Sequence, residues 1–118
     1  MGVDYHIYLV TCLFIIMDIV TGTTQASKNK TLSSQKMREG IYHKLGYVII
    51  VITSAMLEYA ITYLDLGFTA PLIIPTCVMI VLTETISILE NAEKINPELS
   101  QAPIFSLLAN NKKRRSDD

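Results

Sequence analysis

The chain has 118 residues, 50% of them hydrophobic and 18% charged, with a formal net charge of −1 and a mean hydropathy of +0.36. That length allows one small unit, and the gathering of its apolar residues into blocks points to membrane spans and away from a dispersed soluble core. The two cysteines, Cys12 and Cys77, each lie inside an apolar block without CxxC or Cys/His spacing, so they suggest neither a disulfide framework nor a metal site and read as small buried hydrophobes.

In chain order, the first apolar block runs YHIYLVTCLFIIMDIVTG from Tyr5 to Gly22. It is close to the shortest length that crosses a bilayer, roughly 17 residues, and it carries Asp18 inside it, which makes it the least secure span. Asp4 stands where a secretory signal would be basic, and no small-x-small cleavage site follows, so the block is expected to be retained. From Thr23 to Lys44 the chain turns polar, with five basic residues against Glu39 alone. Ser33 or Ser34 is placed to cap a basic amphipathic helix that starts over Gln35 to Arg38 and leads into the second block. That block, LGYVIIVITSAMLEYAITYLDL, spans about residues 45–66, and Gly67 and Pro71 punctuate the turn after it. The third, about 71–90, contains Pro75 in its expected first turn, where a missing N–H costs little. A hydrophilic segment with Pro97 and Pro103 follows, and the charged tail occupies residues 111–118.

The fold class expected is therefore an all-α integral membrane protein, one membrane domain over residues 1–110 with about three transmembrane helices and a basic amphipathic cytoplasmic helix before the second. A soluble bundle fits poorly, because YVIIVITSAML and LIIPTCVMIVL are apolar nearly all round, without the polar stripe a soluble helix shows to water. Short basic loops stay cytoplasmic, so Lys36, Arg38, Lys44 and the tail residues Lys112, Lys113, Arg114 and Arg115 are expected to face anionic lipid on that side. Three spans then put the N-terminus out and the C-terminus in. The same basic runs fit nucleic acid, but the charge bias of membrane loops accounts for them and no nucleic-acid partner is expected.

Each block carries acid, at Asp18, Glu58 and Glu84, where insertion costs roughly 2.5–3.5 kcal/mol per charged side chain at a helix centre. Helical spacing gathers polar neighbours around them. Thr11, Asp18, Gly22 and Gln25 share a face; Tyr47, Ser54, Glu58, Thr62 and Asp65 share a second; Thr76, Thr83, Ser87 and Glu90 share a third, with Glu84 and Asn91 on its edge. Two readings of these seams stay open: hydrogen-bonding glue between packed helices, or the lining of a water-filled path. Glu90 and Asn91, and Glu84 with them, also fit a helix end at the headgroups. Neither His6 nor His43 has a partnered nucleophile or metal-ligand spacing, so no catalytic, cofactor or metal residue is assigned and no enzyme is expected.

MDIVTG (Met17 to Gly22), KTLSSQKMREGIYHKL (Lys30 to Leu45) and TETISILEN (Thr83 to Asn91) together make the sequence, over about residues 12–108, resemble the phage lysis holin and toxin-secretion holin family of Gram-positive bacteria and their phages. The pattern is an aspartate and glycine closing the first span, a basic Ser-Ser loop ending in Gly40, and E-x-x-S-I-L-E-N ending the last. Thr83 stands where the family often has Asn, Glu58 where it often has Asp, and Asn96 near a position often Gly. The resemblance implies a homo-oligomer in the bacterial cytoplasmic membrane that opens lesions for an endolysin, or a large toxin, without required direct contact, and so times host lysis. The seam residues, Asp18, Ser54, Glu58, Thr62, Thr83, Glu84, Ser87 and Glu90, are then expected to hide against one another in packed inactive assemblies. They would face water once a critical density is reached or the membrane potential falls. The alternatives are a small proton- or ion-coupled transporter and an antiholin-like regulatory protein.

Overall fold

A computed structural model describes residues 4–107 of the chain. Three long helices carry it: α1 (Tyr5–Lys28), α2 (Ser34–Tyr63) and α3 (Ile73–Ile95), followed by two short 3-10 turns, Pro97–Gln101 and Pro103–Phe105. Each helix is long and apolar enough to cross a membrane. Their 24, 30 and 23 residues correspond to about 36, 45 and 34 Å, against roughly 30 Å of hydrocarbon.

The ends of the helices have local causes. Asp4 caps α1 by accepting the His6 N–H at 3.1 Å. At the other end α1 runs past the apolar block to Lys28 and closes with paired bonds, Thr31 N–H to the Ala26 carbonyl and Lys30 N–H to that of Ser27. This closure requires a left-handed residue, supplied by Lys30 at φ 58°. Lys30→Val, β-branched at that φ, is expected to cost about 1–2 kcal/mol in a denaturant titration of the protein in mixed micelles. Of the two candidate caps for α2 it is Ser33 that serves, its Oγ accepting the Lys36 N–H at 3.1 Å. The basic amphipathic segment and the second span form one uninterrupted helix. Pro75 sits in the first turn of α3, as expected.

Apolar and polar residues are distributed the reverse of a water-soluble protein. Leu13, Ile52 and Leu82 are 55%, 53% and 59% exposed, while Thr11, Ser54 and Glu84 are 4%, 8% and 1% exposed. Such a surface is stable only where the solvent is itself apolar. Cys77 is buried as expected; Cys12 is on the apolar exterior, because it precedes by one turn the outward Ile16 and not the inward Asp18.

α3 is the central helix, packed along α1 and over a shorter stretch against α2. The inward residues of α1 (Tyr8, Thr11, Ile15, Asp18, Gly22 and Gln25) follow the three-and-four spacing that keeps one face toward a neighbour. At the far end the 3-10 turns fold back on α3 and seat Phe105 against Leu89, Ile86 and Ala92. Phe105→Ala is expected to release this strap, at a cost of about 2 kcal/mol, seen as faster backbone hydrogen exchange over Pro97–Phe105 with the three long helices unchanged.

Candidate functional site

Asp18 lies ten residues before the end of α1, Lys44 ten residues into α2, and Glu84 eleven residues before the end of α3. At about 1.5 Å per residue, all three are roughly 15 Å from the end of the bundle that carries the basic loop. They meet there. The Lys44 ammonium donates to both Glu84 oxygens at 2.7 Å and to Asp18 Oδ2. Asn91 Nδ2 donates to Asp18 Oδ1 at 3.0 Å and to Thr21 Oγ1 at 3.1 Å. The Lys44 and Asp18 side chains are 14% and 12% exposed and that of Glu84 1%, so water does little of the solvating.

A shell continues this cluster along α2. The Lys44 ammonium lies 5.6 Å from the centre of the Tyr47 ring, and the Tyr47 hydroxyl is 3.0 Å from His43 Nε2. Two further polar ties join α2 to α3 nearer the opposite end. The Ser54 and Thr76 hydroxyls are 3.1 Å apart. Glu58 Oε2 accepts the Ile73 N–H at 3.3 Å, where α3 has no side-chain cap of its own from Leu72. An acid in that position satisfies an orphan donor and meets the positive end of the helix dipole. Between the ties and the cluster lie Cys77 and Ile80, both fully buried, which separate the two polar levels with an apolar layer.

Of the expected seam residues, Asp18, Ser54, Glu58 and Glu84 turn inward and bond across helices. Ser87 and Glu90 are half-buried and line a cavity beside the cluster. Thr62 and Thr83 are exposed; the Thr62 hydroxyl bonds back to the Glu58 carbonyl of its own helix. The inward stripe of α3 thus lies one position from the expected one, centred on Cys77, Ile80, Glu84 and Asn91. Among the basic residues, Lys36 and Arg38 are exposed, and Lys112, Lys113, Arg114 and Arg115 lie outside the described residues. Lys44 departs from its expected lipid-facing place, because its stem reaches inward to two carboxylates. A signal for this exists in the sequence: Lys44, Tyr47, Val51, Ser54 and Glu58 keep a three-and-four spacing, so the second seam extends one step further back than Tyr47.

The cavity is a half-open cleft of about 480 Å³ lined by the second half of α1, the loop, the first half of α2 and the end of α3. Among the described residues no buried side-chain nitrogen or oxygen lacks a partner, and no three side chains are grouped to hold a metal ion. The arrangement holds two carboxylates and one ammonium together where the three helices meet, beside this cavity.

A family profile described as the bacteriophage holin family matches residues 1–103. No curated protein and no solved structure matches the chain.

Proposed function

Because the chain belongs to the bacteriophage holin family and is a multi-pass membrane protein, we propose that it oligomerises in the cytoplasmic membrane of a bacterial host and opens the lesions through which an endolysin, or a large toxin, leaves. The onset of lysis is then set by when those lesions form. The orientation in this reading is N-terminus out and C-terminus in, with the basic α1–α2 loop on the cytoplasmic side.

The observation that carries the mechanism is the internal pairing of the seam within a single chain. Asp18, Lys44 and Glu84 satisfy one another, as do Ser54 with Thr76 and Glu58 with the Ile73 N–H, while the exterior stays apolar. A freshly inserted chain in this state presents little polar surface to lipid and needs no lumen. Opening then consists of separating α2 from α3, so that carboxylates and hydroxyls exchange their partners for water while the apolar faces remain against lipid or other copies. The limited contact of α2 with α3 makes that interface the one that gives first.

Expression of the chain with and without a co-expressed endolysin tests the reading, scored for depolarisation and for release of cytoplasmic proteins of graded size. Size-tolerant protein release supports a holin; ion flux without protein release supports a coupled transporter, and insertion without permeabilisation an antiholin-like regulator. Glu58→Leu leaves the Ile73 N–H unpaired and removes a carboxylate from the seam. It is expected to cost about 1–3 kcal/mol in stability and to reduce dye release with insertion intact; wild-type lysis timing and dye release would remove Glu58 from the opening step.

A further inference from the structure

The 480 Å³ cavity beside the ion cluster falls within the roughly 300–1,000 Å³ of ordinary ligand sites, and its chemistry is divided. Its polar lining includes Lys36, Lys44 and Lys94 against Asp18 and Glu90. Both oxygens of Asp18 are already engaged, one by Lys44 and one by Asn91. Lys36, Lys94 and Glu90 make no ion pair among the described residues, so two ammonium groups and one carboxylate are left to act on a ligand. The rest of the lining includes Ile19, Met37 and Ile41, which are 46%, 47% and 61% exposed and continue the apolar exterior of α1 and α2 into the cavity.

We infer that this cavity binds the phosphate headgroup of an anionic phospholipid, drawn in by Lys36 and Lys94, with the first part of an acyl chain along Ile19, Met37 and Ile41. A soluble phosphate would use the lysines alone; the apolar rim between two lipid-facing helices selects a lipid. Lys44 also lines the cavity, so a phosphate seated against it competes with Asp18 and Glu84 for its ammonium. Anionic lipid thereby loosens the contact that joins the three helices. The inference rests on the basic end of the bundle lying at a headgroup layer, and its binding step is independent of hole formation.

The test uses the purified full chain in lipid nanodiscs of phosphatidylcholine containing phosphatidylglycerol, with retained lipid identified by native mass spectrometry after delipidation. Retained phosphatidylglycerol is expected to exceed its share of the bilayer, and the preference to fall about fivefold for each lysine removed in Lys36→Gln and Lys94→Gln. Lys28→Gln at the end of α1 and Lys30→Gln in the loop after it, both outside the cavity, are expected to leave it within about twofold. Equal retention of both lipids, or an equal loss in the loop variants, would overturn the site in favour of diffuse surface attraction. Displacement of the retained lipid by millimolar inorganic phosphate would overturn the lipid as its occupant. A chain with a tryptophan reporter, Met37→Trp, gives an independent reading: stronger quenching by brominated phosphatidylglycerol than by brominated phosphatidylcholine supports the site, and equal quenching contradicts it.

Discussion

Lys44→Met is expected to lower the stability of the inserted bundle by about 3–5 kcal/mol, because it leaves Asp18 and Glu84 facing each other in an apolar surround without their shared cation. Methionine keeps the length and helix propensity of the stem, so the loss is assignable to charge. A denaturant titration in mixed micelles reads the stability. In cells at matched membrane content, depolarisation is expected earlier than in the wild type, since the contact joining all three helices is gone. Unchanged onset with unchanged stability would mean that the cluster does not hold the closed bundle together.

Much of this arrangement is legible in the sequence, and the remainder is hidden for definite reasons. The three blocks, the cap before α2 and the inward face of α1 all follow from local rules: apolar length, a serine pair, Ser33 and Ser34, at the start of the basic helix, and Thr11, Asp18, Gly22 and Gln25 recurring by threes, fours and sevens. Two features depend on partners. α3 carries polar residues on two adjacent stripes, Thr76, Thr83, Ser87 and Glu90 on one, Glu84 and Asn91 on the next. Which stripe turns inward is decided by where α1 and α2 stand: Lys44 selects Glu84 and Asp18 selects Asn91. Lys44 itself follows a basic loop, and charge bias alone assigns such a residue to the aqueous side. Only its register with Tyr47, Ser54 and Glu58 reveals that its flexible stem belongs to the interior.

The largest functional effect is expected from removing the whole cluster at once, with Asp18→Leu, Lys44→Met and Glu84→Leu combined. Unlike the single change, this leaves no unpaired charge. Exchange of a buried ionic group for apolar residues of similar volume is commonly neutral or stabilising by about 1–4 kcal/mol, so the triple variant should insert and remain helical. Asn91 retains Thr21 as a partner. If the cluster's second task is to be solvated when the helices part, this variant has little with which to hold water at mid-depth, and an apolar constriction there dewets. Release of cytoplasmic protein is expected to fall to about a tenth of wild type or less. A stable triple variant that releases protein as the wild type does would make the charges structural only. The contrast between single and triple variants separates holding the bundle closed from lining an opening, two tasks that one substitution would confound.

If the seam is internally paired first and wetted later, Cys77 reports the change directly. It is fully buried, it lies next to Thr76, and it stands two turns before Glu84 on the same face of α3. A thiol reacts with a maleimide only where water reaches it and ionises it. In a Cys12→Ser background, labelling by a membrane-impermeant maleimide is expected to be negligible before the onset of depolarisation and to rise as cytoplasmic protein appears outside. Met79→Cys, added on a Cys77→Ala background, replaces a side chain that is 50% exposed on the apolar exterior and should remain unlabelled throughout. Protein release with Cys77 still unreactive would contradict the account, because the hole would then be lined by some surface other than the interior seam.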